Sequence, residues 1–305
     1  MKKTKLITLA ALALSAFACK PEKEASLCLV PVTVQLNDFS ISQEDFPETK
    51  SVAIGNYSGV KALTLAFYDA DGAELFKSTQ IKSDETSYDT FGLYSCLLPV
   101  GSHTLVAIGY GSDYAITLNG PRSASFTADK VRETFAITQQ INITSTDNHV
   151  FGPVLNRVIT KLAVQSTDPR PANATSVRVT FAKGSKSFSP ESGLASSDEG
   201  LVNVVDISSA VGSASLTNSY LFLSSDEQTM NVTIETLDSE GSVIVSKTVD
   251  DVPLKRNRVT TLSGRIYTAP ADISFEVESM TMASELHLVF CLVESTYQTE
   301  YEMQF

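Results

Sequence analysis

The strongest constraint on the fold of this chain is a pattern that occurs twice, in which an alternating apolar run is followed by an acidic residue and a glycine. The stretch ALTLAFYDADGAELFKS alternates and then turns at Asp71-Gly72, and MNVTIETLDSEGSVIVSK alternates and then turns at Glu240-Gly241. A period of two is typical of half-buried strands, and an acidic residue before glycine is typical of tight hairpins. The pattern predicts two β-hairpins, one in each half of the chain.

The segments around these hairpins extend the β pattern to both halves. LVPVTVQL places Val30, Val32, Val34 and Leu36 on one face, and VLNRVITKLAVQS alternates in the same way. Each half runs from a long strand through the hairpin to a turn that contains proline and a further strand. A length of 305 residues allows about two domains. We therefore predict an all-β chain with two β-sandwich domains in tandem.

The beginning of the chain, MKKTKLITLAALALSAFAC, has three lysines before an apolar run from Leu6 to Ala18. Thirteen residues in a helix span about 20 Å, which is shorter than the roughly 30 Å hydrocarbon core of a bilayer. A basic start, a short apolar run and small residues at its end are the features of a secretory signal. We expect this segment to direct export and to be removed.

The residues just before Cys19 indicate which kind of signal this is. Ser15, Ala16 and Ala18 are small and precede Cys19, as in a bacterial lipobox, while Phe17 departs from that pattern. The sequence therefore predicts cleavage before Cys19 and lipidation of its thiol. The alternative is an ordinary signal peptide with an incidental cysteine.

The predicted organisation follows from this start and from the two halves. Residues 1–18 are the signal peptide, 19–27 a lipidated tether, 28–152 the first sandwich, 153–268 the second sandwich, and 269–305 a tail with possible extra strands. Removal of the signal takes three lysines and no acid, so the net charge changes from −12 to −15. An acidic chain is not attracted to phosphate, which argues against nucleic acid as a partner.

No pattern in the sequence indicates catalysis, a metal or a cofactor. Nucleophile-elbow, P-loop and zinc-protease motifs do not occur, and the three histidines are far apart. Asp69, Asp71 and Gly72 resemble the start of a calcium loop, but Gln80 stands where the closing glutamate is needed. We therefore predict a protein that is not an enzyme and holds no metal or cofactor.

Three cysteines remain after Cys19, namely Cys28, Cys96 and Cys291. Cys28 and Cys96 both lie in apolar strand segments of the first half, so a disulfide between them is possible if the two strands are neighbours. The alternative is that each is a small buried apolar residue.

Two polar segments have alternative interpretations. The stretch PLKRNRV concentrates Lys255, Arg256 and Arg258 in an otherwise acidic chain, and it is either a contact patch for a partner or a solvated turn. The serine-rich stretch 182–200 is predicted to be an exposed loop.

Several of these segments together resemble a known family. The lipobox-like start, VPVTVQL, LPVGSHTLVAIGYG, LNRVITKLAV and VPLKRNRVTTLSGRIY resemble, in this order, segments of the fimbrillin and fimbrial-anchor lipoproteins of Bacteroides-type bacteria. The resemblance covers residues 12 to 268. The tail, which contains the apolar run LHLVFCLV, does not match this pattern and could be a donor strand, a core strand or a divergent end.

The resemblance implies the fold, the location and the partners. It implies two transthyretin-like (Ig-like) sandwiches, a palmitate-type lipid on Cys19, attachment to the outer membrane at the cell surface, and assembly with other fimbrial subunits by β-strand addition. In stalk subunits of this family a protease removes the first strand after a basic residue, for which Lys50 in an accessible loop is the candidate here; an uncleaved loop lysine is the alternative. The implied function is that of an anchoring or minor subunit of adhesive fimbriae.

Two other functions stay open at this point. A stalk subunit matured by cleavage has the same plan. A glycan-binding surface lipoprotein also combines a lipobox with β-sandwiches, although such proteins stack sugars on aromatic rings and this chain has no tryptophan and ten tyrosines.

Overall fold

A computed structural model describes residues 29–36, 38–41, 50–53, 59–82, 91–112, 114–127, 131–144, 148–268 and 276–281. These residues form twenty-one strands and no helix. The first twelve strands are β1 Leu29–Gln35, β2 Asp38–Ile41, β3 Lys50–Ala53, β4 Ala62–Tyr68, β5 Glu74–Ile81, β6 Leu93–Pro99, β7 Gly101–Tyr110, β8 Thr117–Leu118, β9 Ala124–Ser125, β10 Thr134–Ile143, β11 His149–Phe151 and β12 Leu155–Arg157. The others are β13 Thr160–Ser166, β14 Ser176–Phe181, β15 Ser187–Phe188, β16 Leu201–Asp206, β17 Leu216–Leu221, β18 Glu227–Leu237, β19 Val243–Lys255, β20 Arg258–Gly264 and β21 Glu276–Thr281. The all-β prediction is confirmed.

The first sandwich consists of two unequal sheets. The smaller one, which we call the outer sheet, has the order β11-β1-β6, and the larger one, the central sheet, has the order β3-β2-β12-β10-β7-β4-β5. The inward face of β1 packs against the inward faces of β4, β7 and β10 in one apolar cluster. The predicted face of Val30, Val32, Val34 and Leu36 is buried in this cluster.

The middle of the central sheet, at β4 and most of β7, is buried on both of its faces. In β4, Leu63, Leu65 and Phe67 contact the outer sheet's cluster, whereas Ala62 and Ala66 belong to the cluster on the other side, which continues into the second half of the chain. All seven residues of β4 are consequently buried. A strand that is covered on both faces needs apolar or small residues at every position, and ALTLAFY has them.

The second sandwich consists of two four-stranded sheets with the orders β17-β13-β20-β21 and β16-β14-β18-β19. Alternate residues of β14 and β18, such as Val177, Val179, Val232 and Ile234, are buried between them. The strand β21 pairs antiparallel with β20 and lies at the sheet edge. This strand belongs to the segment 269–305, which the sequence predicts to be a tail with possible extra strands.

The hairpin turns of the two halves have the same hydrogen bonds. Asp69 accepts bonds from the N–H groups of Asp71 and Ala73 at its carboxylate Oδ1, at 2.9 and 2.8 Å. Asp238 accepts the corresponding bonds from Glu240 and Ser242, at 2.9 and 2.8 Å. The glycine of each turn has a positive φ, as tight hairpins require. Both predicted hairpins are confirmed, and Oδ1 of Asp69 and of Asp238 has the same structural role in its turn.

The two sandwiches are joined by a small bridging sheet and a continuous apolar core. The bridging sheet has the order β15-β9-β8, so β15 from the second half pairs with β9 from the first. The Phe126 ring contacts Tyr110 and Phe222 at centroid distances of 5.6 and 6.1 Å, and Phe188 stacks on Phe222 at 4.1 Å. The prediction of an exposed loop over 182–200 is wrong for Phe188, which is fully buried in this core.

The chain crosses between the sandwiches later than the sequence suggested. The predicted boundary lies at 152/153, but β12 pairs with β10 and β2 in the central sheet. The alternating stretch VLNRVITKLAVQS is divided at Val158 and Ile159, and only β13 enters the second sandwich. The first sandwich therefore includes Leu155–Arg157.

Candidate functional site

The candidate site is the first strand and the groove that holds it. β1 is the middle strand of the outer sheet, antiparallel to β6 and parallel to β11. Along β6 the pairing runs from Leu29 opposite Pro99 to Gln35 opposite Leu93, and along β11 Val34 lies opposite Phe151. Both edges of β1 are thus paired, so removal of this strand would leave a groove with hydrogen-bonding groups on both sides.

The floor of this groove is apolar. Side chains that surround the buried face of β1 come from β6, β7, β10, β11 and β12, and they include Leu98, Phe135, Ile141 and Leu155. Tyr94 of β6 links the two sheets because its hydroxyl donates to the Leu63 carbonyl oxygen at 2.8 Å. Burial raises the pKa of the Tyr94 phenol, which keeps the hydroxyl protonated as a donor.

The end of β1 is held by a close backbone contact. The N–H of Leu36 donates to the Gly92 carbonyl oxygen at 2.8 Å. Gly92 has a φ of 94°, and a Cβ at this position would lie 2.7 Å from the Leu36 carbonyl oxygen. Only glycine fits here without displacing the chain.

Of the four predicted site residues, Lys50 and Cys96 lie within the described part of the chain. Cys19 and Cys28 lie outside the described residues. The resemblance predicts a loop at Lys50, but Lys50 is the first residue of β3 and is paired with Ile41 of β2. Cleavage after Lys50 would therefore separate β1 and β2 from the rest of the chain.

Cys96 is a free, partly exposed thiol in β6. It lies opposite Val32, while Leu29, the neighbour of Cys28, lies opposite Pro99. At about 3.3 Å per residue, Leu29 is roughly 10 Å along the strand from the level of Cys96. A disulfide needs Cα atoms within about 7 Å, so the pairing of Cys28 with Cys96 stays a prediction that this register does not favour.

The outward face of the outer sheet carries apolar side chains that the sequence analysis did not identify. Leu29, Leu97 and Val150 are exposed to 52%, 57% and 66%. The run LCLVPV contains the signal for this face. Its odd-numbered and even-numbered residues are both apolar, although a strand that contributes one face to the core needs apolar residues only at alternate positions.

The junction between the sandwiches contains a buried ion pair. Arg157 of β12 lies with its Nη2 atom 2.7 Å from Oε1 of Glu133, and its guanidinium carbon lies 4.9 Å from the centre of the Phe135 ring. Its Nη1 atom donates to Oδ1 of Asn257, in the turn between β19 and β20, at 3.1 Å. Arg157 therefore connects the first sandwich with a turn of the second.

The basic stretch around Lys255 belongs to the same junction. Lys255 forms an ion pair with Glu227 at 2.5 Å, and Arg256 forms one with Asp226 at 2.6 Å. Arg256 also donates to the Ser192 carbonyl oxygen at 2.8 Å. Both side chains thus have partners within the chain, in a turn that contacts the neighbouring loop.

A cavity of about 640 Å³ lies at this junction. It is lined by residues 136–138, 156–158, 190–193, 226–227 and 255–257. The basic side chains at its wall are engaged in the ion pairs just described. Within the described ranges, no group of three or more histidine, cysteine or acidic side chains is placed to hold a metal ion.

The tyrosines do not form an evident sugar-stacking surface in the described part of the chain. Tyr68, Tyr94, Tyr110 and Tyr267 are buried, Tyr220 is partly buried, and Tyr114 is exposed to 58%. The described residues contain no helix with the length and apolar character that a membrane span requires.

Comparison with known proteins gives a family. Residues 114–284, more than half of the chain, match the model of DUF6562, which is described as a family of unknown function. The chain belongs to this family. The matched residues run from just before β8 to just after β21, so they include the whole second sandwich. No match is found among curated proteins.

Several solved structures are similar to this DUF6562 member. A candidate adhesin from Bacteroides ovatus has 11% identity and a TM-score of 0.49, with 84% of this chain and 97% of the other covered. The fimbrial anchor protein Mfa2 from Porphyromonas gingivalis has 12% identity and a TM-score of 0.46, with 84% and 100% covered. A candidate polysaccharide-binding protein from Bacteroides thetaiotaomicron has 12% identity and a TM-score of 0.47, with 84% and 99% covered. At these identities and scores, a likeness does not imply a shared function.

Proposed function

We propose that this protein is an outer-membrane lipoprotein subunit of cell-surface fimbriae, and that it acts as an anchoring or minor subunit. Its lipid is attached to Cys19, and its two sandwiches contribute to filament assembly and adhesion. The observation that carries the proposal is the position of β1. The first strand after the lipobox-like signal, which begins ten residues after Cys19, is held in the middle of a three-stranded sheet, over an apolar groove.

This arrangement suits a filament that grows by strand addition. A strand from another subunit that replaced β1 would pair with β6 and β11 and would fill the sites of Val30, Val32 and Val34. Such addition satisfies a row of backbone donors and acceptors at once. The buried face of β1 contributes about 1.5–3 kcal/mol for each fully buried valine, so an exchanged strand needs apolar residues at the same alternate positions.

In an anchor, β1 stays in its groove and connects the sandwich to the lipid. In a stalk subunit, cleavage after Lys50 removes β1 and β2 together with the lipid. The two roles therefore differ in a single covalent property, which is whether Cys19 and the chain after Lys50 remain joined.

Mass spectrometry of the N-terminus of protein taken from the cell surface tests the proposal. Free N-termini are labelled before digestion, because trypsin itself cuts after lysine. We expect an acylated peptide that begins at Cys19, and we expect the protein to co-purify with filaments. A start at Ser51 would assign the stalk role and overturn the anchor role.

Two matched variants complete the test. Cys19→Ser removes the thiol that would be lipidated, so the protein should leave the membrane fraction. Cys28→Ser removes another cysteine nearby and should leave membrane attachment unchanged. A protein that stays in the membrane fraction as Cys19→Ser, or that never accompanies filaments, contradicts the proposal.

A further inference from the structure

The outward face of the outer sheet has a composition that differs from the rest of this acidic protein. Residues that are directly opposite across a strand pair point to the same side, so the pairing defines this face. Its members are Leu29, Pro31, Thr33 and Gln35 of β1, Leu93, Ser95, Leu97 and Pro99 of β6, and Val150 of β11. None of these side chains is charged.

In the second sandwich, the exposed face of the sheet that contains β14 and β16 carries charged as well as apolar side chains. Exposed valines occur there as well, at Val202 and Val204 of β16, but Arg178 lies opposite Val204 and forms an ion pair with Glu235 at 2.6 Å. Single apolar residues on a charged surface are common, whereas a contiguous apolar face indicates an interaction site. On the outer sheet, Leu29, Pro31, Leu97 and Pro99 are adjacent and form a contiguous apolar patch, which borders the polar Thr33, Ser95 and Gln35. The second sandwich provides the internal comparison.

We propose that this face of the outer sheet docks on the lipid bilayer that holds the Cys19 anchor. The inference rests on the lipidation proposed above. Nine residues separate Cys19 from Leu29, and a chain extends by at most about 3.6 Å per residue, so Leu29 stays within roughly 36 Å of the lipidated residue. Leu29 is itself a member of the face, so the tether ends on the surface that would contact the bilayer.

The short tether makes docking an intramolecular event. A linker of this length gives an effective concentration in the millimolar range, so a modest apolar face is sufficient for contact with the membrane. Burial of an apolar surface at the headgroup boundary and lipid attachment act together in this way in other anchored proteins.

The charge distribution favours the same orientation. The mature chain has a net charge of −15, and acidic surfaces are repelled by anionic headgroups. The outer sheet can approach without bringing a carboxylate from this face toward the bilayer. The second sandwich packs on the other side of the central sheet, so docking would direct it away from the membrane.

The absence of tryptophan from the sequence provides a direct test, because one introduced tryptophan is a unique fluorescent probe. Leu97→Trp and Val150→Trp place the probe on the face at two independent positions. Val211→Trp is the matched control, because Val211 is 59% exposed in a turn of the second sandwich. Each lipoprotein is reconstituted, with its anchor, into phosphatidylcholine vesicles that contain brominated acyl chains.

We expect a blue-shifted emission that brominated lipid reduces about twofold for Leu97→Trp and Val150→Trp, because interfacial docking places side chains roughly 5–10 Å into the headgroup boundary. Val211→Trp should emit as a solvent-exposed tryptophan and should not be quenched. Unquenched, red-shifted probes on the face would overturn the inference. A blue shift without quenching would also overturn it, because a protein segment or a second subunit would then cover the face.

Flotation of the same samples separates the inference from the proposed function. Protein that does not float with the vesicles refutes lipidation at Cys19 and the docking with it. Protein that floats while its Leu97→Trp probe is neither shifted nor quenched refutes the docking alone.

Discussion

Arg157 and Glu133 form an ion pair inside the junction of the two sandwiches, with none of the arginine side chain and only 13% of the glutamate side chain exposed. Burial of two charges is unfavourable unless both are paired and hydrogen-bonded, and here Asn257 and the Phe135 ring complete the surroundings of the guanidinium. Removal of one partner should therefore destabilise the protein strongly, although the intact pair itself contributes little net stability.

Glu133→Gln should lower the free energy of unfolding by about 3 kcal/mol, because the Arg157 charge would remain buried without its partner. The combination with Arg157→Met should recover part of this loss, since no buried charge then remains. Urea unfolding of the single and double variants measures both effects.

The exposed pair of Arg122 and Glu191 is the matched control. Its side chains are 77% and 50% exposed, so the pair is screened by water. Glu191→Gln should change stability far less than Glu133→Gln does. Equal losses from the two substitutions would show that the junction pair is not a special determinant of stability.

The duplicated hairpin turns give a second prediction. Asp69→Ala and Asp238→Ala each remove a carboxylate that accepts two backbone N–H bonds, and each should cost about 1 kcal/mol in thermal or urea unfolding. Asn at either position can accept the same bonds and should retain most of the stability. Calcium should not raise the melting temperature of the wild-type protein; a calcium-dependent increase that is lost in Asp69→Ala would reverse this interpretation of the turn.

Gly92 should be harder to replace than Gly72, although both have a positive φ. Alanine in a left-handed conformation costs about 1–2 kcal/mol at either position. At Gly92 the new Cβ would in addition lie 2.7 Å from the Leu36 carbonyl oxygen, whereas at Gly72 nothing lies within 4 Å. Denaturation midpoints of Gly92→Ala and Gly72→Ala compare the two, and similar midpoints would contradict the close contact at the end of β1.

The Cys96 thiol should react slowly at neutral pH. Burial raises its pKa from 9.0 to about 11, and the thiolate is the reactive form. Because the folded state holds the proton more tightly than the unfolded state, this stabilising contribution is present below pH 9 and is lost as the pH rises through about 11. Alkylation of the Cys96 peptide, followed by mass spectrometry across this pH range, should show a midpoint near 11 in folded protein and near 9 in denaturant. A midpoint near 9 in folded protein would contradict the burial.

The local features of this fold could be predicted because they depend on neighbouring residues. The buried face of β1 follows from its alternation, and both hairpins follow from an acidic residue before Gly72 and Gly241. These signals arise within a few residues, so distant parts of the chain do not alter them.

The features that were not predicted depend on pairing between distant segments. Nothing in LNRVITKLAV indicates that its first residues complete the central sheet, because that assignment results from the pairing of Leu155 with Phe39 and from the contact of Arg157 with Glu133. Phe188 likewise lies in a serine-rich stretch, and its burial depends on the distant Phe222. The same limit applies to the outer face, whose members come from three strands that are far apart in the sequence.

The parallel pairing of β1 with β11 and of β2 with β12 also limits the order in which the first sandwich can assemble as the chain emerges from its amino end. The first sandwich cannot close until Leu155–Arg157 has emerged, which is about halfway along the chain. Until β11 has emerged, β1 has a partner only in β6, and until β12 has emerged, β10 has a partner only in β7, so strand edges stay open while the chain emerges. In this interval the first strand and its groove have backbone groups that are open to pairing with another strand.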